Sequence, residues 1–239
     1  MKQLSVPEQS VIDHIDAARM LDRVMAWCSI NSGTTNLSGL VALTDLLEAT
    51  LATFPGSVER VHAQPEMTID ASAHECQITR ADHLVLRVRP EAERRVLLTG
   101  HMDTVFPSDH AFQHIVWLDN DRLNGPGVAD MKGGIAVMLE ALAAFETSPF
   151  AAQIGYDVLI NSDEETGSLS SAPLIADLAA GKIAALTYEP SALPDGTLAG
   201  ERMGSGNFSL VIKGRSAHAG RNPQDGRNAV VAAAALTLA

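Results

Sequence analysis

The stretch Arg95 to Val105, RVLLTGHMDTV, decides the fold. Its first half is a near-continuous apolar run, which suits a strand covered on both faces. His101 follows at once, at the carboxyl end of that strand, where open α/β sheets place their ligands. Two further runs repeat the arrangement. Tyr156 to Ile160 ends on Asn161-Ser162-Asp163-Glu164-Glu165, and Ala184 to Tyr188 ends on Glu189-Pro190. Helices are expected between the strands. Met131 to Phe145 places Ile135, Met138, Leu142 and Phe145 on one face, and Leu169 to Ala180 is stopped by Gly181. Strand, helix, strand, helix, strand implies right-handed crossovers and an α/β fold, a mostly parallel sheet flanked by helices.

Outward from this centre, Ser10 to Ile30 carries Ile15, Ala18, Leu21, Met25 and Cys28 at helical spacing. A second helical run, Leu40, Leu43, Leu47, Leu51 and Phe54, ends at Pro55-Gly56, and strands are expected at Ser57 to Val61 and Leu84 to Val88. The segment from 106 to 124 is irregular; its WLDNDRLN portion reads as a hairpin approach, and His110 and His114 as exposed loop histidines. Beyond a boundary near Met203, a strand over Asn207 to Lys213, the segment GRSAHAGRNP and a helical run over Asp225 to Ala239 begin a second domain. The expected division is therefore 1–202 and 203–239.

With 46% hydrophobic and 19% charged residues, the 239-residue chain has the composition of a folded protein, and a net charge of −12 argues against a nucleic-acid partner. Cys28 and Cys76 form no CxxC and read as free thiols of a reducing compartment. The amino terminus lacks the apolar run of a secretory signal, and the longest apolar stretch, Val230 to Ala239, is too short to span a bilayer. These readings give a cytoplasmic expectation, with no membrane partner.

The chemistry gathers around Gly125 to Gly134, GPGVADMKGG, where Asp130 sits between a glycine-proline turn and a helix start. His101, Asp130, Glu165 and Glu189 each lie at or just after a strand end or helix start, so the fold can bring them together. Imidazole plus carboxylates is a zinc-type ligand set, with manganese or cobalt also compatible. One carboxylate can bridge two cations ~3.5 to 4 Å apart, and Asp130 is the candidate bridge. Asp103 can accept from the imidazole nitrogen that faces away from a metal. Glu164 and Glu165 are adjacent and point to opposite sides, so one can ligate while the other acts as general base.

HMDTV, GPGVADMKGG, DEETGS, YEP and GRSAHAG, in this order, closely resemble the M20 family of metallopeptidases, most of all its glutamate carboxypeptidase-like branch, from about residue 12 to the last residue. The resemblance implies a zinc-peptidase-like catalytic domain followed by the start of a smaller α+β lid and dimerisation domain. It implies two Zn2+ ions, with His101 and Glu189 on one, Glu165 on the other, Asp130 on both and Glu164 as general base. It also implies that His218 reaches across a homodimer to the substrate's carbonyl oxygen, and that the Asp130 to Met131 bond is often cis. The implied reaction is hydrolysis of an amide next to a free carboxylate, as by a carboxypeptidase releasing a C-terminal amino acid such as glutamate. The alternatives are an N-acyl-amino-acid deacetylase or desuccinylase, acting on a small N-acyl amino acid rather than a peptide, and a catalytically inert fragment. Family members are longer, with a lid that continues and a final histidine for the Glu165 metal, so the chain reads as an amino-terminal portion.

Overall fold

The computed structural model describes residues 4–70, 72–197, 204, 206 and 208–238. The chain divides into two compact units, Met1–Glu66 with Ile78–Ala199, and Met67–Gln77 with Gly200–Ala239. The expected boundary at Met203 lies outside the described residues.

In the first unit, α1 (Val6–Ile12) is followed by α2 (Ala17–Cys28) and α3 (Leu37–Leu51). The single helix expected from Ser10 to Ile30 is thus two. Asp16 breaks it: its side chain accepts from Arg19 N and caps α2, while its own N–H donates to Glu140 at 2.9 Å. The buried face of α2 is Val24, Trp27 and Cys28, whereas Ile15, Leu21 and Met25 are exposed.

Strands follow at β1 (Ser57–Val61), β2 (Glu66–Ile69), β3 (Glu75–Ile78), β4 (His83–Val88) and β5 (Arg94–His101), of which β2 and β3 pair only with each other and fall almost wholly in the second unit. A short hairpin of β6 (Val116–Trp117) and β7 (Leu123–Asn124) then precedes α4 (Lys132–Glu146), β8 (Ile154–Asn161), α5 (Ala172–Ala179) and β9 (Ala184–Thr187). The central sheet has the order β1-β4-β8-β5-β9. β8, β5 and β9 are parallel neighbours, joined by the expected helices. β4 pairs antiparallel with both β1 and β8, so four of the five strands run one way and β4 alone is reversed.

Both faces of the central strands β4, β8 and β5 are covered, whereas the edge strand β9 is exposed throughout. Leu84, Leu86, Leu98, Val158 and Ile160 pack with α2, α3 and α4, while the alternate positions Val85, Leu97 and Leu159 pack with Leu174, Ile175 and Leu178 of α5. Period-two alternation with apolar residues at both parities produces the continuous hydrophobic runs read in the sequence.

In the second unit, α6 (Ala229–Thr237) is capped by Asn228 and preceded by a single 3-10 turn at Pro223–Asp225, so the helix starts later than Asp225. Of the strand expected over Asn207 to Lys213, Asn207 lies outside the described residues and 208–213 form none. A lone antiparallel bridge joins Arg215 to Arg227. No helix among the described residues is long and apolar enough to cross a membrane.

Candidate metal centre

Three parallel strands end side by side. In register, His101 pairs with Asn161, and Thr99 with both Leu159 and Thr187. The residues just past these ends therefore share one rim: His101 itself, Asp163 to Glu165 after β8, and Glu189 after β9. Asp130 arrives from the turn before α4 and is joined to Met131 by a cis peptide bond. Gly134 lets that turn close on the sheet, because a Cβ there would lie 2.0 Å from the Tyr188 carbonyl oxygen, next to Glu189.

His101 is the point of convergence. Its Nε2 lies 3.0 Å from Asp130, 3.6 Å from Glu189 and 3.8 Å from Glu164. Donor atoms form two overlapping groups, His101 with Asp130 and Glu165, and His101 with Glu164 and Glu189, each within 4.8 Å of one another. Cavities of about 220 Å³ beside His101, Glu164 and Glu189, and about 280 Å³ beside Glu165 and Thr34, flank the cluster.

Asp103 is fully buried behind the imidazole. His101 Nδ1 is 3.0 Å from its carbonyl oxygen and 3.3 Å from Oδ1, so one residue offers both acceptors. Its carboxylate also accepts from Glu164 N and Glu165 N, each at 3.2 Å, and from Thr34 Oγ1 at 2.8 Å. It thereby holds the 3-10 turn Glu164–Thr166 against β5. Asp163, also fully buried, accepts from the N–H groups of Ser170 and Ser171 at 2.8 and 3.0 Å, which anchors the start of α5 beside the same turn.

The electrostatics report crowded negative charge. Burial alone would lower the His101 imidazole, but its bonds with Asp103, Asp130 and Glu189 outweigh burial and raise it to about 12. The bond to His101 lowers Asp130. Burial raises Glu164, and burial together with Asp130, Asp103 and Glu164 raises Glu165 to about 7 against the pull of His101.

Residues 97–235 match Peptidase family M20/M25/M40. The chain belongs to peptidase family M20. Among its M20 relatives, carboxypeptidase G2 of Pseudomonas sp. (strain RS-16) is 30% identical over 210 residues, 88% of this chain and 48% of that protein. A succinyl-diaminopimelate desuccinylase of Rickettsia massiliae (strain Mtu5) is 31% identical over 140 residues, 53% of this chain and 36% of the relative. The M20 chain thus spans about half the length, 48%, of the carboxypeptidase it matches. Human carnosine dipeptidase 1 shares the fold, with a TM-score of 0.60 at 18% identity over 75% of this chain and 40% of its own.

Of the residues expected at the site, the structure brings together His101, Asp103, Asp130, Glu164, Glu165 and Glu189. His218 belongs to the second unit, where it is exposed and its Nδ1 accepts from Gly220 N at 3.1 Å. Sequence reading missed Thr34, Asp163 and Lys132. Thr34 and Lys132 act on partners about 70 to 100 residues away, without periodicity to expose them. Asp163 stands in the same DEE run as its neighbours but turns inward.

Proposed function

We propose that this chain carries the cation site of a hydrolase that cleaves an amide bond next to a free carboxylate. One observation carries the reading: Asp103, Asp130, Glu164, Glu165 and Glu189 surround a single imidazole, and among the described residues none of the five pairs with lysine or arginine. A nitrogen donor with this many carboxylates fits zinc, and fits manganese or cobalt as well. His101, Asp130, Glu165 and Glu189 would hold the cations, and bound there these would supply positive charge that polarises the scissile carbonyl and acidifies water.

The chain's own groups do the rest. Glu164 takes the proton of the attacking water and passes it to the leaving amine, a role suited to a carboxylate whose pKa is raised by burial. Asp103 keeps the imidazole in the tautomer that presents Nε2 to the cation. His218, on the lid and dimerisation segment that we assign to 203–239, donates to the developing oxyanion in the partner's site of a homodimer. Residues 1–202 form the catalytic portion, and the working compartment is the cytoplasm.

The similarity to carboxypeptidase G2 favours release of a C-terminal amino acid such as glutamate. The shorter similarity to a desuccinylase supports N-acyl amino acids as the second reading. Zinc titration of the EDTA-dialysed chain, followed by hydrolysis of a C-terminal glutamyl peptide and an N-succinyl amino acid, separates the two. Glu164→Gln should keep the metal and lose hydrolysis. A chain that binds no zinc, or a Glu164→Gln protein with undiminished turnover, overturns the assignment.

A further inference from the structure

We propose that Lys132 is a positioning residue of the metal centre, a buried strut that fixes the Asp130 turn to the carbonyl end of α2. The inference rests on the cation reading above. Lys132 is 1% exposed, two residues beyond Asp130, and forms no ion pair among the described residues. Instead its Nζ donates to Trp27 O at 3.1 Å and to Ile30 O at 2.9 Å. Trp27 O closes the last turn of α2, where it also accepts from Ile30 N at 3.2 Å, and Ile30 O lies just beyond it, at the helix end whose dipole favours a cation. The ammonium is spent on two backbone carbonyls and on none of the carboxylates of the site, which marks it as an anchor rather than a counterion.

The stem of Lys132 completes the clamp. A Cβ on Gly127 would lie 2.9 Å from its Cδ and 3.1 Å from its Cε, so glycine leaves the channel the stem occupies. The Lys132 and Gly133 N–H groups both donate to Gly127 O, at 2.9 and 3.3 Å. Residues 127–133 are therefore closed into a loop with Asp130 inside it, and the only side chain of that loop that reaches α2 in a hydrogen bond is Lys132. A second connection between α2 and α4, Glu140 with Arg19 and Arg23, lies two turns along α4 and holds the helix pair without touching the loop.

That separation supplies the control. Lys132→Met and Glu140→Gln both remove a tie between α2 and α4, so both should unfold at lower urea. Only Lys132→Met should weaken binding of Co2+, by about 10- to 100-fold, the range for residues that orient metal ligands, and alter the visible spectrum of the bound Co2+. Gly127→Ala, which intrudes on the stem and strains a backbone held at φ +75°, is the second variant and should weaken Co2+ in the same direction. Unchanged Co2+ affinity and spectrum in either folded variant, with wild type binding normally, overturns the strut. Equal losses in Glu140→Gln do so too, by showing that general loosening suffices. A wild-type chain that takes up no Co2+ instead overturns the cation reading, and the strut with it.

Discussion

The two ends of the parallel strands treat acidic residues in opposite ways. Near the amino ends, Asp157 is 1% exposed and is met by Arg95 with two contacts of 2.8 Å and by Lys182 at 2.8 Å. Glu146 meets Arg89 at 2.6 Å, and on the helical layer the fully buried Glu140 is held by Arg19 and Arg23. At His101, six residues and ~20 Å further along β5, five carboxylates share one imidazole. Even the two buried aspartates there, Asp103 and Asp163, are satisfied by N–H and O–H donors alone. The scaffold pairs its buried acids with arginine and lysine elsewhere and leaves this group to a single imidazole, a set that could hold a cation.

The strongest way to break that contrast is to remove its centre. His101→Ala should reduce zinc affinity by about 1,000-fold, ~4 kcal/mol. The wild-type chain should gain about 2.7 kcal/mol of stability at zinc concentrations a hundredfold above Kd, and the variant should gain almost none. Thermal melts with and without zinc read both. An equal zinc-induced shift in the two proteins would place the cation elsewhere.

The next two substitutions test the sign of charge removal. Glu140→Gln leaves the Arg19 and Arg23 guanidinium groups without their carboxylate and should cost about 2 kcal/mol in urea unfolding. In EDTA, Glu165→Gln should stabilise by about 1 kcal/mol, because it removes one of several like charges around His101. With zinc present the sign should reverse, since the same residue then loses a ligand. A stabilising Glu140→Gln, or a destabilising Glu165→Gln in EDTA, would erase the distinction between scaffold and site.

Much of this contrast could be read from the chain itself. RVLLTG and Tyr156 to Ile160 announce strands buried on both faces, Ala184 to Tyr188 announces a further strand that is exposed throughout, and the acids that follow all three mark the rim. What the sequence concealed was direction and long reach. Nothing in HLVLRV distinguishes a reversed strand from a parallel one, so β4 emerged only from its pairing with β1 and β8. The break at Asp16 depends on Glu140, 124 residues away. The β2–β3 hairpin, EMTI and ECQI, is too short and too polar to stand out by alternation. At the site, residue types were legible because liganding needs histidine and carboxylates. Thr34 and Lys132 were not, because a residue that serves by bonding remote acceptors carries no local signature.

Thr34→Val isolates one of those hidden contributions. It removes the 2.8 Å hydroxyl donor to Asp103 and leaves the two N–H donors of the Glu164 turn in place. The expected cost is about 1 kcal/mol of stability, with a smaller loss of zinc affinity than His101→Ala. A neutral substitution would mean that the two backbone donors already satisfy the buried carboxylate.

The smallest effect concerns the floor beneath the same turn and acts through pH. His83 is 1% exposed; Ser162 N donates to its Nδ1 at 3.3 Å, and its Nε2 faces Ser170 Oγ at 3.4 Å. An accepting Nδ1 belongs to the neutral ring, and burial holds the pKa below its ordinary 6.5 despite the opposing pull of Asp163, Asp82 and Asp103. Below pH 6.5 the unfolded chain therefore binds a proton that the folded chain refuses, and stability falls as pH falls, by at most ~1.4 kcal/mol per pH unit. His83→Asn cannot bind that proton. Measured in EDTA to keep zinc linkage out, the wild type's stability advantage over His83→Asn should shrink between pH 7.5 and 5.5. Parallel pH profiles would show that His83 is not held neutral. Shrinkage would mean that acid loosens Ser162 and Ser170, which bracket the Glu164–Thr166 turn, whereas Glu164 and Glu165 on that turn, both raised by burial, take up protons in the folded chain and oppose the loss.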